Sequence, residues 1–189
     1  KYDESYFEMW KKVDIILITH WHGDHCNYEV LKNIKDIPIY STKEVKSKYP
    51  DLDIDIISDG DSFSIDNIDI EVVKAIHGYN PLLRNGGEVK ENVGYIIDDG
   101  NKKLYVSSDT ICFNNDYQAD VIALPVTGYG LTMSAYEASL LANDMRASLT
   151  LITHLDNDFY PTDLNYVRDT FDNNKSNYKI LEIGESIEI

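Results

Sequence analysis

The sequence predicts a mixed α/β domain, and three observations carry that expectation. Short apolar runs of strand length recur from Val13 onward to the last residue, Ile189. Between them lie stretches with apolar residues at helical spacing, most clearly around Ala138, Leu141, Ala142 and Met145. Apolar residues make up 43% and charged residues 26% of the 189, the balance of a chain that buries a core. No repeat, low-complexity tract or Gly/Ser/Pro-rich linker interrupts it, so one domain over residues 1–189 accounts for the length.

The elements follow in order. Residues 13–18 form a nearly continuous apolar run, the pattern of a strand buried on both faces. Asn27 then precedes Val30, Leu31 and Ile34, which mark a short helix. Residues 37–40 and 54–57 are further short strands, and Lys43, Lys46 and Lys48 between them read as the exposed face of another short helix. Two hairpins come next. Residues 63–65 and 68–76 flank Asp66-Asn67, and residues 93–97 and 103–106 flank Asp98-Asp99-Gly100-Asn101, turn residues that tolerate positive φ. Residues 121–126 and 149–153 are again buried-strand patterns. Ser134-Ala135-Tyr136-Glu137 is a capping box at the head of a helix, and Leu164, Val167 and Phe171 mark another helix after Pro161-Thr162. Residues 180–183 and 187–189 are expected to pair around Gly184-Glu185.

Composition narrows the partners. Seventeen basic against 33 acidic residues leave a net charge of −16, the wrong sign for binding through phosphate neutralisation, so no nucleic acid is expected. No apolar run reaches the roughly 18 residues of a membrane helix, and the first residues lack the layout of a signal peptide. Two cysteines, Cys26 and Cys112, build no disulfide framework, which makes a reducing cytoplasm the expected compartment. The expected partner is a small molecule.

The five histidines carry the functional signal. Three lie in Thr19-His20-Trp21-His22-Gly23-Asp24-His25, directly after the first buried strand. His77 follows the strand 68–76, His154 follows the strand 149–153, and Asp109 follows the strand 103–106. Ends of strands at one sheet edge are where α/β folds gather functional groups. Imidazole and carboxylate are the ligands of zinc, manganese and iron. His20 and His22, two apart, can point the same way. Asp24 and His25 lie one step further on, able to address a second metal, with Gly23 letting the backbone turn tightly. Four potential ligands within six residues would be costly to bury without a partner.

The motif His-x-His-x-Asp-His after a buried strand resembles the signature of the metallo-β-lactamase-fold superfamily, and the likeness runs from Val13 to about Pro161. Leu131-Thr132-Met133-Ser134 with Glu137-Ala138, then His154 with Phe159 and Pro161, is most similar to a branch of metal-dependent hydrolases that includes L-ascorbate 6-phosphate lactonase. The resemblance implies an αββα sandwich and a dinuclear site. His20, His22 and His77 would bind one metal, Asp24, His25 and His154 the other, and Asp109 would bridge them. Two divalent ions are expected, zinc first, with manganese or iron as alternatives. A hydroxide shared by the metals would be the nucleophile, since coordination lowers the pKa of water toward about 7. Asp24 would pass a proton to the leaving group. The implied activity is hydrolysis of a small phosphorylated or lactone-type metabolite.

Further residues weigh on substrate and rivals. Arg84, in the loop after His77, offers a guanidinium to a phosphate or carboxylate, and Tyr129, in Gly128-Tyr129-Gly130, is a second candidate substrate contact. Cys26 and Cys112 read as small buried residues because nitrogen and oxygen donors already fill the site. A phosphodiesterase acting on RNA, of the tRNA 3′-processing type, shares the fold but conflicts with the net charge. A redox member resembles the motif but carries Glu where this chain has His22, and a non-catalytic metal-binding member usually lacks a ligand. Relatives begin with a strand pair ahead of the histidine motif, whereas about a dozen residues precede Val13 here. The expectation is that further residues upstream, or a second copy in a homo-oligomer, cover that edge.

Overall fold

The computed structural model describes residues 10, 12–82, 87–155 and 160–189. The chain divides into two compact units, Lys1–Ser58 with Val89–Glu91, and Asp59–Glu88 with Asn92–Ile189.

The first unit holds a parallel sheet of β1 (Ile16–Leu17), β2 (Ile39–Ser41) and β3 (Ile54–Ile56), in that order. Two short helices make the crossovers. In α1 (Tyr28–Leu31) the Asn27 side chain accepts from the Val30 amide, and in α2 (Lys43–Lys48) Thr42 accepts from the Val45 amide. Ile16, Ile18, Leu31, Ile39, Val45, Leu52 and Ile54 pack into one core with Cys26. Val89–Glu91 is bound reciprocally. Glu44 accepts from the amides of Lys90 and Glu91 at 2.9 Å each, and Glu91 accepts from the Glu44 amide at 2.7 Å. The strand expected over 13–18 is shorter than its apolar run, because Val13 and Asp14 are exposed and the Asp14 carboxylate stays in water. Among the described residues, β1 has β2 as its paired neighbour.

The second unit holds a seven-stranded mixed sheet. Its strands are β4 (Ser62–Ile65), β5 (Ile68–Lys74), β6 (Val93–Asp98), β7 (Lys103–Val106), β8 (Val121–Pro125), β9 (Leu149–Thr153) and β10 (Tyr178–Ile180). The spatial order is β10-β9-β8-β7-β6-β5-β4. Pairing is antiparallel from β4 to β7 and parallel from β7 to β10. Two antiparallel steps restore direction, so β5, β7, β8 and β9 all run the same way and end at one edge.

Both hairpins form as the turn residues predict. Asp66 adopts φ 51°, and Asp99 accepts from the amides of Asn101 and Lys102. Helix α3 (Ala135–Met145) starts on the predicted capping box, with Ser134 and Glu137 each accepting from the other's amide. Helix α4 (Leu164–Asn173) is capped by Asp163, which accepts from the amides of Asn165 and Tyr166. Ala138, Leu141, Ala142 and Met145 of α3 meet Val167 and Phe171 of α4 and Ile122, Leu124 and Ile152 of the sheet in one core.

The expected terminal pair of strands is corrected. The last strand is Tyr178–Ile180, parallel to β9, and 187–189 form no strand. The open side of β9 offers a complete row of backbone partners, and the Tyr178 ring packs on Phe171 at 5.1 Å. Gly184, at φ 86°, closes a tight turn in which the Glu185 amide donates to the Glu182 carbonyl, without continuing into strand. Among the described residues, no helix is long and apolar enough to cross a membrane.

Candidate metal centre

In the first unit the chain leaves β1 and curls at once. The amides of His25 and Cys26 both donate to the His22 carbonyl, at 2.9 and 2.7 Å, which folds 22–26 into one turn. That turn gathers the side chains. The His20 ring lies 4.9 Å from the His22 ring and 4.2 Å from the His25 ring, and His25 Nε2 lies 3.8 Å from Asp24 Oδ2. His20 and His22 offer ligand atoms within 4.8 Å of each other, as do Asp24 and His25. His20 is fully buried with Nδ1 against the Thr19 hydroxyl at 3.0 Å, whereas Asp24 is exposed. Gly23 does not play the steric role expected of it, because a Cβ there would meet nothing within 4 Å and its φ is not positive.

In the second unit three strand ends converge. Asp109, three residues past β7, is buried, and its Oδ2 lies 3.0 Å from His154 Nε2 and 3.8 Å from His77 Nε2. The backbone around it is tied down. Asn92, just ahead of β6, donates to the Asp109 carbonyl at 2.9 Å and accepts from the Ser108 hydroxyl at 2.7 Å. Ser108 takes φ 64°, which turns the chain so that Asp109 faces inward. Beyond β5, Ile76 accepts from the Ile111 amide at 2.8 Å and donates to the Thr110 hydroxyl at 3.0 Å.

Hydrogen bonding fixes the tautomers of two of these histidines. His77 Nδ1 lies 2.7 Å from the Gly78 carbonyl, which can only accept, so Nδ1 carries the proton. The Thr127 hydroxyl donates its one proton to the His154 carbonyl at 2.6 Å, so its contact with His154 Nδ1 must be one in which Nδ1 donates. In the neutral rings Nε2 is then the atom with the lone pair, and both Nε2 atoms face the buried Asp109 carboxylate. Three electron-pair donors converging on one point repel each other and bind well around a cation. Anchoring Nδ1 on a carbonyl or hydroxyl is also how metal-ligating histidines are oriented. The donor set, imidazole nitrogen and carboxylate oxygen, fits zinc, manganese or iron.

Thr127 went unread in the sequence, although it closes β8 as the other site residues close their strands. Arg84 lies outside the described residues. Tyr129 is half exposed at φ 55°, its hydroxyl donates to the Pro161 carbonyl at 3.2 Å, and its ring meets Tyr160 at 5.4 Å. Cys26 is buried as expected, and burial pushes its thiol up to about 11. Cys112 departs from the expectation of burial. It is exposed, on an irregular stretch after Asp109 rather than on a core-facing strand, and what burial it has, with Glu137 and Asp144 nearby, raises its thiol pKa.

Comparison with known proteins gives three findings. Residues 7–155 match the family model described as a beta-lactamase superfamily domain. A UPF0173 metal-dependent hydrolase of Flavobacterium johnsoniae is 28% identical over 94% of this chain and 82% of its own length. Among solved structures, Igni18, a novel metallo hydrolase from the archaeon Ignicoccus hospitalis, is similar at TM-score 0.74 and 22% identity, covering 93% of this chain and 79% of that one. The metallo-beta-lactamase fold protein YhfI from Bacillus subtilis has TM-score 0.74 at 16% identity, covering 95% and 79%. The two structural likenesses establish the fold.

Proposed function

The chain belongs to the metallo-β-lactamase superfamily, and on that premise we propose that it is a dinuclear metal-dependent hydrolase of small phosphorylated or lactone-type metabolites, related to the ascorbate 6-phosphate lactonase branch. The observation that carries the proposal is the convergence of the Nε2 atoms of His77 and His154 on the buried carboxylate of Asp109, with both Nδ1 atoms held on oxygen. The family pattern divides the ligands as His20, His22 and His77 for one ion, Asp24, His25 and His154 for the other, with Asp109 shared. Zinc is the first choice of metal.

When bound, the ions supply an activated water as nucleophile and a Lewis acid for the scissile carbonyl or phosphoryl group. The protein residues do the rest. Thr127 and the Gly78 carbonyl hold protons on the far nitrogens of His154 and His77 and keep their lone pairs inward. Asp109 balances positive charge from a buried position. Asp24, the exposed member of the set, can pass a proton to the leaving group at its carboxylate oxygen. Tyr129 and Arg84 are the proposed substrate contacts.

Elemental analysis after reconstitution with Zn²⁺ or Mn²⁺ tests this reading. Two ions per chain are expected, falling to one in His22→Ala and in His154→Ala. Asp109→Asn should lower hydrolysis of any cleaved ester or lactone by at least about 10²-fold, since it removes the charge shared by the two ions. A wild-type ratio of one or zero in excess metal refutes the dinuclear reading.

A further inference from the structure

Trp21 lies between two of the ligand histidines, and its surroundings give it a role of its own. The indole packs against the core of the first unit, and its Nε1, though buried, makes no hydrogen bond among the described residues. Ring contacts therefore fix its orientation. The Lys48 ammonium sits over the ring, 3.7 Å from its centroid, and the His22 imidazole meets it edge to face, with centroids 4.7 Å apart and planes at 73°. Lys48 comes from the last turn of α2, a helix held by the Thr42 cap and the fully buried Val45.

We infer that Trp21, held by Lys48, is a positioning group that sets the His22 imidazole for its metal. The inference rests on the reading of His22 as a ligand. A cation over an indole face is attracted by the ring quadrupole, and an edge-to-face pair is directional for the same reason. The stack therefore passes the fixed position of α2 through Lys48 and Trp21 to His22. Hydrogen bonds orient other rings of the set: His20 Nδ1 pairs with the Thr19 hydroxyl, and the Nδ1 atoms of His77 and His154 donate to the Gly78 carbonyl and the Thr127 hydroxyl. Lys48 is thus more than the solvated lysine its sequence pattern suggests.

Four variants of the full chain test it: Trp21→Ala, Trp21→Phe, Lys48→Met and Lys48→Arg. The first readout needs no metal. In chelator-treated protein the His22 ring protons, shifted by the indole ring current, should move in Trp21→Ala, move partway in Lys48→Met, and return in Lys48→Arg. The second is zinc titration against a chromophoric chelator. Trp21→Ala and Lys48→Met should each weaken one of two binding events by at least about 10-fold, as loss of a ligand's orienting partner does. The other event should stay close to wild type, and Trp21→Phe and Lys48→Arg should recover most of the loss. Unmoved His22 resonances in Lys48→Met, equal losses at both ions, or no rescue by Lys48→Arg would each overturn the inference. A wild-type chain that takes fewer than two ions would refute the dinuclear proposal instead, and the resonances would still decide the role of Trp21.

Discussion

Gly78→Ala should disable the second unit's candidate metal cluster without replacing His77, Asp109 or His154. A Cβ at Gly78 would lie 2.1 Å from the Gly130 carbonyl oxygen and 2.8 Å from the Leu131 oxygen, where real Cβ contacts do not fall below 3.0 Å. Both clashing atoms are backbone, so no side chain can swing aside; the strand exit and the Gly128-Tyr129-Gly130 turn must part by nearly an ångström. The Gly78 amide then loses its 2.7 Å bond to Leu131. Overpacking costs about 1–3 kcal/mol, and stranding a hydrogen-bonding partner about 1–3 kcal/mol more. A loss near 3 kcal/mol lowers Tm by roughly 6–12 °C in a chain of this length. Because the Gly78 carbonyl also anchors His77 Nδ1, zinc binding should weaken by at least about 10-fold. Thermal melting followed by circular dichroism, in chelator and then in zinc, measures both. Gly23→Ala is the control, since a Cβ there meets nothing, and its stability should stay within about 0.5 kcal/mol. A Gly78→Ala protein that melts with the wild type and binds zinc equally well would refute the steric argument.

Two further outcomes follow from buried groups. The Tyr105 side chain is fully buried, burial pushes its phenol pKa well above the usual range, and its hydroxyl has no hydrogen-bond partner among the described residues. Tyr105→Phe should therefore raise the urea midpoint, by about 1 kcal/mol in stability, and a loss of that size would reveal a partner. Iodoacetamide at pH 8 should alkylate Cys112 and spare Cys26 in the folded protein, because a thiol raised to about 11 is protonated there and shielded. Modification of Cys26 before unfolding would contradict its burial.

What was legible in the sequence was local. The cap of Ser134, the turn at Asp66 and the strand Leu149–Thr153 all depend on residues within a few positions of each other, and all form as read. The candidate ligand positions were legible for a related reason: each follows a strand, and strand ends are visible as the point where an apolar run stops. Features set by distant partners were not. β10 forms because β9 has an open side, and nothing in 178–180 announces a parallel partner. The two glycines near the histidines show the same limit. Gly23 looked necessary beside the motif and has open space, whereas Gly78 is hemmed in by Gly130 and Leu131, some fifty residues on. Lys48 and Trp21 are likewise 27 positions apart, beyond any pattern in either segment.

In the second unit the candidate ligands sit at different distances past their strands, and the antiparallel strand β6 lies among them. β5 and β7 run in the same direction but have β6 between them, which puts their axes about 9–10 Å apart. His77 and Asp109 each sit three residues past their strands, where the bond between the Ile111 amide and the Ile76 carbonyl joins the two segments. His154, by contrast, is the first residue after β9 and reaches Asp109 Oδ2 at 3.0 Å from there. Because β6 runs the other way, the chain enters it at this edge, and the residue it brings is Asn92. Its amide holds the Asp109 carbonyl, and its carbonyl oxygen accepts from Ser108, the residue whose positive φ turns the acid inward. A parallel strand in that place would bring an outgoing loop instead, and Asp109 would lose the amide that fixes its backbone between the two imidazoles.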